Sequence, residues 1–321
     1  MPRLFVNLLA DGVPVEEVYL LADRQLRANR HAETYLLAQL RDKTGQISGL
    51  HWNVNEATAS ALQSGDYVKV RGKVQLFQGN LQLILNRIEK VTPESVEAAD
   101  FLPETSVNTE RLLSRLRAIL VSIDDTPIRI LMECFLDDAE FMERFAAAPA
   151  GIRLHHAYAG GLMDHVVNLL ETILRIADLY PKVDSRLLLA GAFLHDIGKV
   201  RELEYESVFG YTDEGQLIGH LVQGVEMVNE RLPEAERRLG RPFPPETLLR
   251  IKHMLVSHHG TYEFGSPKLP MTPEAIALHH LDNLDAKVNE YMTLIENDPS
   301  PQSTWTPYQA TMQRKIFKGG G

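Results

Sequence analysis

The feature that most constrains this chain is the run Leu194-His195-Asp196-Ile197-Gly198-Lys199, which directly follows an unbroken apolar stretch, residues 187–194. The apolar stretch indicates a buried segment. On a helix, His195 and Lys199 share one face, and Asp196 lies three residues before Lys199. Isolated charges are costly to bury, so these side chains must be paired or bound to something. A metal ion carrying a phosphate would satisfy all three, and a helix end with a simple ion pair is the alternative.

Further histidines and acids extend this motif along the chain. In order they are His165, His195 with Asp196, His220, His258 with His259, and Asp282. Each lies on or beside a segment with helical apolar spacing. Imidazoles and carboxylates together suit a borderline divalent metal, best Mn²⁺ or Fe²⁺, with Zn²⁺ and Co²⁺ also open. One ion needs fewer ligands than this series offers, so we predict two metals about 3.5–4 Å apart.

This ordered series resembles the HD-domain superfamily of metal-dependent phosphohydrolases. The resemblance implies that one metal is held by His165, His195, Asp196 and Asp282, and the other by His220, His258 and His259, with Asp196 bridging. Such a pair lowers the pKa of a water molecule and clamps phosphoryl oxygens. Lys199 is predicted to steady the transition state as a point charge. An ordinary lysine on a helix surface is the alternative.

The N-terminal part of the chain shows the alternation of β-strands. We predict five strands near residues 18–22, 33–42, 46–52, 66–74 and 81–85, with a short helix at 55–62. Their order matches an OB-fold, a small barrel that often binds single strands. An SH3-like barrel is the structural alternative.

Basic and aromatic residues of this region suggest a surface for nucleic acid. Lys69, Arg71 and Lys73 alternate with Val68 and Val70, which predicts a basic stripe on one strand face. Trp52, Tyr67 and Phe77 either fill the barrel core or stack on bases.

Helical patterns take over after an acidic, proline-containing segment. The predicted helices are residues 110–123, 127–136, 140–147, 165–177, 185–195, 219–231, 245–258 and 273–295, with a polar loop at 202–215. The predicted fold class is therefore multidomain, a small all-β OB-fold barrel followed by an all-α HD domain. Its predicted parts are the barrel (1–92), a linker (93–108), the HD domain (109–298) and an extended tail (299–321).

Composition bounds the location and partners of the chain. The net charge of −10 argues against tight nonspecific binding to duplex nucleic acid. The charge is uneven, because residues 1–92 carry 11 Lys and Arg against 9 Asp and Glu. Signal peptides and long apolar spans are not apparent, so we expect a cytoplasmic protein without a membrane partner. Cys134 has apolar neighbours, which favours a buried structural thiol.

Four motifs narrow the resemblance. The segments Ile152–Leu162, Glu214–His220, Ser257–Lys268 and Leu281–Lys287 look like the YhaM family of bacterial 3′-5′ exoribonucleases. This resemblance covers nearly the whole chain and implies metal-dependent removal of nucleotides from the 3′ end of single-stranded RNA, with single-stranded DNA as a second polymer. Asp164 departs from the pattern, where Glu is expected before the first ligand histidine.

Substrate contacts and alternatives complete the sequence-based expectations. We predict that Arg153, His156, Lys268, Lys69 and Arg71 contact the substrate, with local capping and packing as the alternative for Arg153 and His156. A phosphohydrolase of small nucleotides or cyclic dinucleotides, with a regulatory barrel, is the alternative function. A nucleic-acid-binding protein with a degenerate HD domain is a third. The spacing leaves open whether the chain forms a homo-oligomer.

Overall fold

The chain forms two compact units, Met1–Glu104 with Tyr291–Gly321, and Thr105–Glu290. The computed structural model describes residues 3–28, 34–54, 59, 61–77, 80–97, 100–101, 108–151, 158–205, 210–296, 298, 303–309 and 312–319. The first unit contains a five-stranded barrel and the second is built of helices, which confirms the predicted fold class. Within these ranges, no helix combines the length and the apolar character needed to cross a bilayer.

The barrel has the strand order of an OB-fold. Its strands are β1 (Pro14–Ala28), β2 (Thr34–Asp42), β3 (Gly45–Trp52), β4 (Tyr67–Phe77) and β5 (Asn80–Lys90). They close in the order β1-β2-β3-β5-β4, with β3 and β5 parallel. Val68, Val70 and Val74 point into the core, and the residues between them face outward. The short helix predicted at 55–62 falls largely on residues outside the described ranges.

A bulge at Asn86 of β5 lies where the backbones of β4 and β5 come close together. The register of the two strands shifts between Arg71 and Gly72. A Cβ atom on Gly72 would lie 2.3 Å from the carbonyl oxygen of Ile84. Glycine is therefore required at this position, because any side chain would force the strands apart.

Part of the predicted linker packs on the barrel. Phe101 is buried, and its ring centroid lies 4.7 Å from that of Tyr67. Asp100 pairs with Arg3 at 2.9 Å, and the Arg3 guanidinium lies over the Phe101 ring. A single buried aromatic residue in an acidic segment leaves no periodic signal, so the sequence pattern did not reveal this contact.

The tail, predicted to be extended, folds back on itself. Trp305 bridges antiparallel to Phe317, and Gln309 to Arg314. Thr306 is buried beside Ile316, whose backbone oxygen accepts a hydrogen bond from the Thr306 amide at 2.9 Å. Too few residues are buried here to produce an alternating pattern, so the sequence could not indicate these contacts.

The second unit packs its helices around one apolar core. They are α1 (Thr109–Val121), α2 (Thr126–Leu136), α3 (Ala139–Ala147), α4 (Gly161–Ile176), α5 (Ser185–Leu194), α6 (Lys199–Glu202), α7 (Asp213–Leu217), α8 (His220–Leu239), α9 (Pro245–Ser257) and α10 (Pro273–Glu296), of which residues 291–296 are assigned to the first unit. Side chains of Asn108, Asp125, Asp138 and Asp184 cap the first amides of α1, α2, α3 and α5. Every residue of α5 from Leu187 to Leu194 is buried, so this helix is the centre of the unit.

Two features of this unit differ from the helical prediction. Helix α8 continues through Pro233 to Leu239, because Ala235 is buried and Arg238 pairs with Asp137 at 2.7 Å. The predicted polar loop after Lys199 instead contains two short strands, Leu203–Glu204 and Gly210–Tyr211, which pair antiparallel. Tertiary packing thus overrides the helix-breaking signal of Pro233.

We predict that Gly72→Ala destabilises the barrel by about 1–3 kcal/mol, because the new Cβ overpacks the β4–β5 contact. Both tryptophans of the chain, Trp52 and Trp305, belong to the first unit, so tryptophan fluorescence during urea unfolding reports on that unit. The exposed neighbour substitution Lys73→Ala is the control and should change stability by no more than about 0.5 kcal/mol. An unchanged unfolding midpoint for Gly72→Ala would contradict the close approach.

Candidate metal centre

The seven predicted metal ligands come together in the second unit. His195 and Asp196 follow α5, His220 begins α8, His258 and His259 follow α9, and His165 and Asp282 lie on α4 and α10. Their candidate ligand atoms form three overlapping groups, and within each group the atoms lie within 4.8 Å of one another. Residues separated by more than a hundred positions in sequence therefore meet at one point of the helical core.

Each of the five histidines is held through its Nδ1 atom. The partners are Asp285 Oδ2 for His165 (2.6 Å), Ala192 O for His195 (2.9 Å), Glu202 Oε1 for His220 (3.0 Å), Leu255 O for His258 (2.9 Å) and Phe264 O for His259 (2.8 Å). An imidazole that donates from Nδ1 presents the lone pair of Nε2 to a metal. All five Nε2 atoms are thus oriented as ligands.

One group consists of His165, His195 and Asp282. The Nε2 atoms of His165 and His195 lie 3.3 Å apart, and His165 Nε2 lies 3.3 Å from Asp282 Oδ1. The three atoms therefore face a common point, as the ligands of one metal must.

A second group consists of His220, His258 and His259. The Nε2 atoms of His220 and His259 lie 3.2 Å apart. His258 is buried, whereas His220 and His259 are partly exposed. Two of its three ligands are thus partly exposed, against one, Asp282, in the first group, so this side of the centre is accessible.

Asp196 lies between the two groups. Its Oδ2 atom is 3.2 Å from His195 Nε2, in the first group. Its Oδ1 atom is 3.5 Å from His220 Nε2 and 3.6 Å from His258 Nε2, in the second. One carboxylate thus offers an oxygen to each group.

Two orphaned polar atoms indicate that the centre holds a ligand. Asp196 Oδ1 and His258 Nε2 are buried and make no hydrogen bond to the described residues. Buried polar atoms are almost always satisfied, and an unsatisfied pair that faces one point fits a metal ion. The donor set and these orphaned atoms agree with the divalent metal binding that an HD domain implies.

A carboxylate must be ionised and an imidazole neutral to bind a metal, and the surroundings favour these forms for Asp196 and His258 but not for His165. Burial opposes the charge of Asp196, but the Lys199 ammonium and the neighbouring His195 together hold the pKa of that carboxyl well below its usual range. Burial lowers the pKa of His258 to about 3, so this imidazole is neutral at pH 7. Burial also opposes the charge of His165, but Asp282 and Asp285 outweigh it and raise its pKa to about 9. Metal binding at His165 therefore displaces a proton.

Lys199 contacts the central carboxylate. Its Nζ atom donates to Asp196 Oδ2 and to the carbonyl oxygen of Ala150, both at 2.6 Å. These contacts use two of its three N–H donors and orient the carboxylate. The structure thus shows Lys199 bound to Asp196, one of the predicted metal ligands. The sequence predicted a contact between Lys199 and the phosphate, and it did not predict this one.

A close backbone contact shapes the His258-His259 turn. His279 Nδ1 bonds the carbonyl oxygen of His258 at 2.8 Å. A Cβ atom on Gly260, where φ is +80°, would lie 2.1 Å from the His279 ring. His279 therefore supports the turn that carries the second group.

The predicted substrate-contact residues are dispersed. Arg153 and His156 lie outside the described residues, and Lys268 is exposed near the end of the loop that follows α9. On the barrel, Lys69 and Arg71 point outward but pair with Glu16 at 3.3 Å and 3.8 Å. The predicted basic stripe is therefore partly neutralised by the neighbouring strand.

The aromatic residues of the barrel divide between surface and packing. Trp52 and Phe77 are about half exposed, which excludes the core alternative for both, and Tyr67 packs on Phe101. Trp52 lies beside Tyr35, with ring centroids 5.0 Å apart. Sequence reasoning did not single out Tyr35, although its alternation with buried Leu36 marks an outward position.

Sequence reasoning also missed Glu202 and did not assign Asp285. Glu202 accepts hydrogen bonds from both the backbone amide and Nδ1 of His220, at 3.1 and 3.0 Å. Asp285 follows Asp282 by three residues, so on a helix the two carboxylates lie on the same face. This spacing could have indicated that Asp285 lies near the metal ligands.

We predict that Glu202→Ala lowers the metal affinity of the protein about 10- to 100-fold, because His220 loses the acceptor that orients it. Isothermal titration with Mn²⁺ measures the effect. Glu204→Ala, two residues on and exposed, is the matched control and should bind as the wild type does. If Glu202→Ala and Glu204→Ala bound Mn²⁺ equally well, the result would contradict the assignment of His220 as a metal ligand.

Two family models match this chain, one in each unit. The HD domain family matches residues 162–287, and the OB-fold nucleic acid binding domain family matches residues 21–91. Among solved structures, the second OB-fold domain of replication protein A from Methanococcus maripaludis covers 29% of this chain and 96% of its own, at 20% identity and a TM-score of 0.23.

Full-length relatives carry the family assignment. The 3′-5′ exoribonuclease YhaM of Bacillus subtilis (strain 168) is 33% identical over 281 residues, 87% of this chain and 86% of the relative. The protein of that name from Geobacillus sp. (strain WCH70) is 34% identical over 304 residues, 94% and 91% of the two chains. The resemblance inferred from the motifs is confirmed, and the chain belongs to the YhaM family, a family of hydrolytic nucleases that join an OB-fold to an HD domain.

Proposed function

We propose that this protein is a metal-dependent 3′-5′ exoribonuclease that hydrolyses single-stranded RNA, with single-stranded DNA as a second substrate. The observation that carries the proposal is the placement of Asp196 between two groups of imidazoles in a chain with YhaM relatives. A site for two metals is typical of phosphodiester hydrolysis, since it clamps both the attacking and the leaving oxygen.

The ligands divide between two ions in this proposal. His165, His195 and Asp282 hold one, His220, His258 and His259 hold the other, and Asp196 bridges them. The mixture of five imidazoles and two carboxylates favours Mn²⁺, with Fe²⁺, Co²⁺ or Zn²⁺ as alternatives.

The residues of the chain prepare this centre for hydrolysis. When bound, the metals supply Lewis-acid activation of water and of the scissile phosphate. Lys199 keeps Asp196 ionised and oriented, so we assign it a positioning role. His195 and His258 are fully buried and close the inner side of the centre. The substrate therefore approaches from the partly exposed side of His220 and His259.

The barrel supplies the proposed strand-binding surface. Outward Tyr35 and Trp52 form an aromatic pair on β2 and β3, and aromatic rings stack on bases without regard to sequence. Lys69 and Arg71 add positive charge on β4, on another wall of the barrel. Aromatic and basic groups are the two components of single-strand binding.

The test is a denaturing-gel time course with 5′-labelled single-stranded RNA and its DNA counterpart, in Mn²⁺ and in chelator. We expect a metal-dependent ladder that shortens from the 3′ end. Asp196→Ala should abolish shortening because both metal groups lose a ligand, and the exposed substitution Asp178→Ala is the control. Intact strands, together with phosphate release from small nucleotides, would favour the small-molecule phosphohydrolase instead.

We also predict that Lys69→Glu combined with Arg71→Glu weakens RNA binding about tenfold or more at low salt, because the new charges adjoin Glu16 and repel phosphate. Cleavage of a dinucleotide should change less. Fluorescence anisotropy and single-turnover cleavage measure the two quantities. The control Lys182→Glu with Arg241→Glu makes the same net-charge change on the helical unit. If RNA binding and dinucleotide cleavage fell equally, the result would contradict the proposal that the β4 surface binds the RNA strand.

A further inference from the structure

Large exposed side chains flank the accessible half of the metal centre. Tyr262 and Phe264, which shortly follow the ligands His258 and His259, are 65% and 70% exposed. Leu217 and Ile218, directly before Gly219 and His220, are 86% and 44% exposed. Single exposed apolar residues are ordinary on a protein surface. Four such residues close in sequence to the predicted metal ligands His220 and His259 indicate a binding surface.

The aromatic segment is fastened to a ligand rather than loosely attached. The carbonyl oxygen of Phe264 accepts the hydrogen bond from His259 Nδ1 at 2.8 Å. The Phe264 backbone is thus separated from the metal-facing Nε2 atom by one imidazole ring. A ring on this backbone lies within reach of a nucleotide whose phosphate is at the centre.

The turn that carries the rings has its own supports. Tyr262–Phe264 form a single 3₁₀ turn, and the Gly265 amide bonds the Tyr262 carbonyl at 3.0 Å. Ser266 is buried, and its Oγ lies 3.0 Å from the carbonyl oxygen of Val256 and 2.8 Å from that of Lys268, so its single proton is donated to one of these two acceptors. The turn therefore presents two rings from a fixed base.

We infer that Tyr262 and Phe264 stack on the nucleobases at the 3′ end of the strand, while Leu217 and Ile218 form an apolar wall on the His220 side. This inference rests on the proposed exoribonuclease function and adds a base-binding subsite to it. Every base has a π face, so such a subsite accepts any sequence. It also favours unpaired ends, because their bases can be splayed apart to reach both rings.

Charge favours a base over a phosphate at this turn. Glu263 lies between the two aromatic residues and is exposed, and a carboxylate repels phosphate. Among the described residues, neither ring has an aromatic or cationic partner that would account for its position. The nucleobase is the apolar, planar part of the substrate, and it fits these rings.

The experiment compares 5′-labelled RNA that ends in natural nucleotides with the same RNA carrying two abasic 3′-terminal nucleotides. For the wild type we expect kcat/KM to be about 5- to 150-fold higher on the natural end, chiefly through KM. Tyr262→Ala with Phe264→Ala should reduce this ratio towards one. Phe264→Leu, which keeps apolar volume without a ring, should give an intermediate ratio.

Two controls separate stacking from damage to the centre. Tyr180→Ala removes another exposed tyrosine, which follows the far end of α4, and should retain the wild-type ratio. That end of the helix lies about 16 Å along its axis from His165. Bound Mn²⁺ per chain, measured by elemental analysis, should be equal in all variants because the Phe264 carbonyl is retained.

The outcomes distinguish this subsite from the function on which it rests. Degradation of both RNAs with no preference for the natural end, or an unchanged preference in the double variant, would overturn the subsite and leave the exoribonuclease in place. Failure of the wild type to shorten either RNA would overturn both. Loss of activity on both ends with loss of metal would assign the turn to support of His259 and overturn base stacking.

Discussion

The contact between Lys199 and Asp196 is the interaction on which the metal centre depends. A carboxylate buried among apolar helices would ordinarily take up a proton, because burial disfavours its charge. The Lys199 ammonium, 2.6 Å away and itself held by the Ala150 carbonyl, is the largest of the neighbouring contributions that together keep it ionised. Two groups of imidazoles can then share one charged residue, and the buried helix α5 holds that residue in place.

The clustering of the candidate ligands could be predicted from sequence because they lie on or beside helical apolar segments in the order of the HD-domain motif. The residues that hold these ligands in place could not be predicted. Glu202 seemed to begin a polar loop, and only the fold brings it beside His220. His279 could be placed near Asp282 by helical spacing, but its contact with the His258 carbonyl depends on the packing of α9 and α10. Contacts between distant segments leave no local pattern.

In the barrel, too, the sequence predicted which residues are buried but not which residues lie beside each other. Alternation predicted the inward valines of β4 and the outward Lys69 and Arg71. It could not predict that Glu16 faces them, because the register between β1 and β4 joins residues more than fifty positions apart. The tail and Phe101 were missed for a related reason, since each buries only a few residues. Local periodicity reports which face is buried, and only the fold reports which neighbour lies beside it.

The most direct test of the central claim is anomalous diffraction at the manganese edge from crystals of the protein grown with Mn²⁺. The account predicts two peaks, one among His165, His195 and Asp282, the other among His220, His258 and His259. Asp196 should contact both ions, one through each oxygen. A single peak, or two peaks of which only one contacts Asp196, would contradict the bridged pair.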